Sequence, residues 1–122
     1  MFTNYLVAGM TGIILFFTVV VAPTVFKVLP VEWSSKYVRS FFPKYYLSLG
    51  LLTCLAAVFS ANATSLIILL ICALLFAFLL FYLTNQINVA KDSGQEKRFH
   101  ILHSLSVAIN LAQLIAFIYI LI

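Results

Sequence analysis

The residues able to do chemistry gather near the end of this sequence. His103, Ser106, Asn110 and Gln113 recur at three- and four-residue steps, with His100 three residues before them. On a helix that spacing puts them on one face, a polar stripe on an otherwise apolar surface. Such a stripe has two uses. It can bond to neighbouring helices, worth on the order of 1 kcal/mol per contact. It can instead line a ligand or proton site, because polar side chains in hydrocarbon turn to the protein interior or to a wet cavity. Both uses stay open from the residues alone. Either way the stripe is expected to face Thr11, Thr18 or Thr24 on the first helix, or Thr53 on the second.

The two histidines restrict the metal chemistry. Three residues apart on one helix, His100 and His103 point the same way, so they cannot be the two axial ligands of one haem. One of them could serve beside a non-histidine ligand, or the pair could share zinc or copper. A shared ion would need further Cys, His, Asp or Glu donors, and Asp92 and Glu96 in the adjoining loop are the carboxylates on offer. No resident cofactor and no metal site are expected, with haem or copper at His103 or His100 as the alternative. Cys54 and Cys72 lie nine residues either side of Ala63, at similar depth in a helical hairpin. A disulfide between them is conceivable, and a role as plain small hydrophobes is the simpler expectation. The charge-free runs hold neither Asp nor Glu, which argues against a carboxylate-based proton pump or cation carrier. No phosphate-cradling Gly loop, nucleophile elbow or His-Glu-x-x-His segment occurs.

The elements that position these residues follow from composition. Of 122 residues 65% are hydrophobic and 8% charged, against about 25% charged in a soluble domain. That excludes a water-soluble globular domain and a disordered chain, and leaves a membrane protein. Three runs carry no Asp, Glu, Lys or Arg: 1–26, 45–90 and 99–122. A span needs roughly 20 apolar residues, so the middle run holds two, divided at the small, polar stretch Ser60–Ser65. The runs are apolar all round rather than alternating, which selects helices over a β-barrel. The expectation is an all-α, four-transmembrane-helix bundle, one integral membrane domain over 1–122. Its helices fall at about 5–29, 45–59, 65–88 and 100–122. Helix 1 lacks a basic leader and is not read as a signal peptide. It carries Pro23, an expected kink, and a small-residue patch, Ala8, Gly9 and Gly12, that would admit another helix.

All seven Lys and Arg lie between helices 1 and 2 or between helices 3 and 4. The positive-inside rule then puts both connections in the cytoplasm and both termini outside the inner membrane. The basic excess is therefore a topology signal and an attraction to anionic lipid headgroups, with no nucleic acid as partner. A homo-oligomer or a larger membrane complex also fits. Between helices 1 and 2, Ser34 or Ser35 can cap a short interfacial helix with Tyr37, Val38, Phe41 and Phe42 on one side. Trp33, Tyr37, Tyr45 and Tyr46 suit the headgroup level, and Pro43 is expected to start helix 2. The segment Phe41–Tyr46, with Phe42, Pro43 and Tyr45, would roof a cytoplasmic-side polar pocket made by the helix 4 stripe.

Two stretches, Arg-Ser-Phe-Phe-Pro-Lys-Tyr-Tyr at 39–46 and Lys-Arg-Phe-His-Ile-Leu-His-Ser-Leu-Ser-Val-Ala-Ile-Asn at 97–110, resemble the transmembrane protein 205-like family. These are small four-helix membrane proteins whose common domain has no established function. Phe42, Pro43 and Tyr45 match the family's Phe-Pro-x-Tyr segment before the second helix, and His103, Ser106 and Asn110 match the segment opening the last. A looser similarity is to copper-resistance D-like membrane proteins and HemJ-type protoporphyrinogen oxidases, which bind haem. This chain departs from them in having no histidine in helix 1. Together these readings make a small polytopic inner-membrane protein of non-enzymatic role, an accessory or assembly factor or a small-molecule or metal permeability factor. A haem-binding membrane redox protein is the alternative.

Overall fold

The computed structural model describes residues Phe2–Ile122. Among them the chain forms four long helices, each apolar enough to cross a bilayer: α1 Phe2–Val28, α2 Val31–Val58, α3 Ala63–Asp92 and α4 Glu96–Leu121. The protein is an all-α, multi-pass membrane protein. At 26 to 30 residues and about 1.5 Å per residue, each helix outreaches the roughly 30 Å hydrocarbon layer. Helices suit this sequence because the bilayer offers backbone groups no partner, and an α-helix satisfies them within one segment.

Each helix packs on its neighbours in sequence, and α4 returns to α1, closing a square bundle. At one end the chain turns from α2 to α3, where the Asn62 side chain accepts from the backbone N–H of Thr64 (2.8 Å) and Ser65 (3.4 Å), an N-cap. Nearby the Thr3 hydroxyl donates to the Ala56 carbonyl at 2.7 Å, and Phe2 meets Phe59 edge-on. The other end holds every Lys and Arg. There α3 stops in a Schellman turn: the Gln95 N–H bonds to the Ala90 carbonyl and that of Gly94 to Lys91. Gly94 sits at φ +72°, a conformation that other residues adopt at a cost.

Two helices widen by one residue. α1 passes through a π-turn at Phe17–Val21, closed by the Ala22 N–H on the Phe17 carbonyl. α3 does the same at Leu79–Leu83, where both the N–H and the hydroxyl of Thr84 donate to the Leu79 carbonyl, the hydroxyl at 2.7 Å. Pro23 has no N–H to give, and the first widening ends two residues before it, at Val21. Phe17, in that turn, is an aromatic hub. It stacks on Phe41 at 5.0 Å and lies 4.8 Å from Tyr45 and 5.5 Å from Phe42.

Several expectations are corrected. No separate interfacial helix precedes helix 2: α2 runs unbroken from Val31, and Pro43 lies inside it. An interior proline removes one backbone bond and costs about 3 kcal/mol. Here the uninterrupted helix brings Phe41, Phe42 and Tyr45 onto Phe17, packing that a break at residue 43 would misalign. Ser34 does not cap α2. Its hydroxyl donates to the last carbonyls of α1, Val25 at 3.3 Å and Leu29 at 3.2 Å. Tyr45 and Tyr46 do not present wet, interfacial tips but turn into the core, each 5% exposed. α3 and α4 reach further towards their shared loop than the apolar runs do, because charged residues continue a helix once it leaves the hydrocarbon. The patch Ala8, Gly9 and Gly12 faces outward, with nothing within 4 Å of where a Cβ would sit on either glycine. The close approach is instead at Gly50, where an added Cβ would meet the Phe76 Cβ at 3.4 Å.

Candidate functional site

The stripe on α4 runs from the charged end into the bundle, and its residues differ in burial along the way. His100 is exposed, His103 half-buried, Ser106 buried, Asn110 half-buried, and Gln113 1% exposed. At the charged end all four helices contribute to a cleft of about 320 Å³. Phe26 comes from α1, Val38, Arg39 and Phe42 from α2, Asn88 and Lys91 from α3, and Phe99, His100 and His103 from α4. Below it lie two smaller cavities. One of about 130 Å³ touches Phe17, Thr18, Tyr46, Ser106 and Asn110; the other, about 40 Å³, touches Tyr46, Thr84, Asn88 and Ser106. Phe42 and His103 line all three, so they stand at the junction between the cleft and the interior.

The His103 ring lies parallel to Phe99 at 5.9 Å, and the Ser106 hydroxyl donates to the His103 carbonyl at 2.6 Å. Asn110 Nδ2 donates to the Tyr45 hydroxyl at 3.4 Å, a long contact made across the bundle from α4 to α2. Gln113 Nε2 donates to the Cys72 carbonyl on α3 at 3.1 Å. Asn110 Oδ1 and Gln113 Oε1 are buried without a partner. Turning over the Asn110 amide would let Oδ1 accept from the Tyr45 hydroxyl. Turning over that of Gln113 would set oxygen against the Cys72 carbonyl, so its orphaned acceptor is inherent to the packing.

The rim is charged. Arg39 grips Asp92 through both carboxylate oxygens, at 3.1 and 2.8 Å, joining α2 to the end of α3. Arg98 donates to Gln86 at 3.2 Å, joining α4 to α3. Lys91 lies 4.9 Å over the Phe99 ring and makes no ion pair among the described residues. With Arg39 neutralised by Asp92, Lys91 is the cation left open at the cleft, beside the imidazoles of His100 and His103. Its walls are aromatic and aliphatic. The arrangement can hold a molecule with an apolar body and an acidic group.

The expected residues are thus brought together unevenly. His100, His103 and Phe42 share the main cleft, Ser106 and Asn110 lie beneath it, and Gln113 lies deeper, touching none of these cavities. Pro43 touches none of them either, and of the expected roof Phe42, Tyr45 and Tyr46 face the stripe. The threonines are not its partners. Thr11 donates to Val7, Thr53 to Leu49 and towards the Met10 sulfur, and Thr24 is exposed; only Thr18 reaches a shared cavity. The partner missed is the Cys72 carbonyl; Tyr45 and Tyr46 belong to the expected roof, and what was missed is the depth of their burial. A tyrosine pair two turns before Thr53, on the same face as Leu49, was the available signal. Cys54 is exposed while Cys72 is buried, and both are free thiols. No three His, Cys, Asp or Glu side chains converge among the described residues, and Asp92 is engaged by Arg39.

A family model described as a domain of unknown function (DUF4149) matches residues 5–96. No curated protein and no solved structure matches the chain.

Proposed function

The chain belongs to the DUF4149 family, and on that premise we propose that it is a non-enzymatic inner-membrane protein that holds a small amphiphile in the cleft between its four helices. In this reading the charged loops face the cytoplasm and both termini lie outside, supported by the sorting of all Lys and Arg to one end. The ligand carries one acidic group, met at the rim by Lys91 and His100, and an apolar body that passes Phe42 and His103. The observation that carries this reading is that one aromatic and one imidazole side chain, Phe42 and His103, line three adjacent cavities, the outermost of which also holds Lys91, a lysine with no ion pair among the described residues. A role in passing such molecules to or through the membrane fits best among the accessory, assembly and permeability roles that suit so small a chain. The likeness of residues 39–46 and 97–110 to the transmembrane protein 205-like family agrees with this reading and adds no activity to it.

A fluorescent long-chain fatty acid tests it. The purified protein should raise and saturate the probe's emission, and His100→Ala and Lys91→Gln should each weaken binding several-fold, about 1 kcal/mol for the loss of one charge-assisted contact at an exposed rim. An uncharged fatty alcohol probe should bind less well. Equal binding of acid and alcohol, or binding untouched by both substitutions, refutes the assignment. The visible spectrum of the same preparation decides the alternative: a Soret band lost in His103→Ala would make this a haem protein.

A further inference from the structure

We infer that the outer face of α2 at the charged end is a binding site for an anionic phospholipid of the surrounding leaflet. This site is separate from the cleft and does not depend on what the cleft holds. It is a shallow groove of about 520 Å³, lined by Leu29, Trp33, Lys36, Tyr37, Ser40, Phe41 and Lys44. Lys36, Ser40 and Lys44 follow at four-residue steps, so two ammonium groups bracket a hydroxyl on one helix face. Beside them Tyr37 stacks on Phe41 at 5.5 Å and 12°, a flat aromatic floor continuous with Phe17 inside the bundle.

The depth of this groove identifies the occupant. Counting about 20 residues back from Val58 to span the hydrocarbon puts the boundary near Arg39. Trp33–Arg39 then lie in the headgroup layer, and Lys44, about 7 Å further in, reaches that layer by extending its four-carbon stem. The layer contains phosphate esters, and a phosphate here meets Ser40 as a hydrogen-bond donor with Lys36 and Lys44 as counter-charges. The glycerol and first methylenes lie over Phe41, while Leu29, near the start of α2, closes the outer end of the groove. Neither lysine is held in a buried or tight ion pair. Lys36 has a loose contact with Glu32 at 3.6 Å, both side chains well exposed, and rests 4.7 Å over the Trp33 ring. Lys44 makes no ion pair among the described residues. Trp33, 56% exposed, completes the wall as interfacial tryptophans do.

Native mass spectrometry of the detergent-solubilised protein, loaded with equimolar phosphatidylglycerol and phosphatidylcholine, tests the assignment. Phosphatidylglycerol should be retained about thirtyfold over phosphatidylcholine, the discrimination two lysines at a membrane surface provide. Lys36→Gln with Lys44→Gln should abolish the preference. Lys27→Gln with Lys97→Gln, which removes the same charge elsewhere, should leave it intact. Trp33 is the single tryptophan, so its emission gives a local second readout: phosphatidylglycerol should shift it to the blue with saturation, and phosphatidylcholine should not. Equal retention of the two lipids overturns the site, and so does a preference that survives the Lys36/Lys44 double substitution or falls as far in the Lys27/Lys97 control.

Discussion

Replacing Gln113 with leucine should leave the protein as stable as before or up to about 2 kcal/mol more stable, although Gln113 is among the most buried polar residues of the bundle. The substitution removes one hydrogen bond, from Nε2 to the Cys72 carbonyl at 3.1 Å. Hydrogen bonds between helices in a membrane average about 0.6 kcal/mol, and the Cys72 carbonyl sits within the helical ladder of α3. The same substitution also removes Oε1, which is buried without a partner, and relieving an orphaned acceptor is worth about 1–3 kcal/mol. Leucine is close to glutamine in volume, so the surrounding core need not collapse into a void. The measurement is reversible unfolding in mixed micelles of rising sodium dodecyl sulfate fraction, followed by far-UV circular dichroism. A loss exceeding about 1 kcal/mol would refute the reasoning, because it would mean that Oε1 has a donor of its own and that Gln113 serves a water or ligand rather than the packing.

Three further outcomes are expected. Pro43→Ala should stabilise the chain by about 1–3 kcal/mol in the same titration, since α2 is continuous and the substitution restores the N–H that the Arg39 carbonyl lacks; destabilisation would contradict the unbroken helix. Phe17→Ala should cost about 3 kcal/mol, because one ring contacts three others from α2, and a loss below about 1 kcal/mol would deny it that central role. In a chain whose Cys54 and Cys72 are replaced by alanine, cysteines at Ser93 and Ile122 should label from opposite faces of the membrane, and labelling of both from the cytoplasm would defeat the proposed orientation.

The four spans are legible in the sequence because a bilayer penalises charge, so the gaps between Lys, Arg, Asp and Glu mark where the chain is submerged. The same signal misplaces the helix ends. Charge marks where the hydrocarbon stops and says nothing of where the helix does, which is why α2 begins at Val31 and not at Tyr45. Pro43 misleads for a related reason: its local preference for a helix start is overridden by aromatic packing that depends on residues 17 and 41–45 meeting in space. The α4 stripe is readable as periodicity, and His100, His103 and Phe42 do share a cleft. Of its partners, the segment Phe41–Tyr46 is readable as lying over it, and the Cys72 carbonyl is not. Tyr45 and Tyr46 have the amphipathic character of interfacial residues, and their burial follows from the phase of α2, set by Leu49, Thr53 and Ala56 on the same face. The two π-turns carry no composition signal at all.

Those turns have a consequence for how this chain can change length. A π-turn is one residue absorbed locally, so the α-helical stretches before and after it keep the facing they would have without that residue. Removing one residue within 79–83 lets α3 close to an ordinary helix, with Phe76 and Asn88 still aimed inward. Removing one anywhere else in α3 swings everything beyond it by about 100° and carries Asn88 and Lys91 away from the cleft. Each widened helix therefore holds one place where the chain can shorten by a residue and keep its aim.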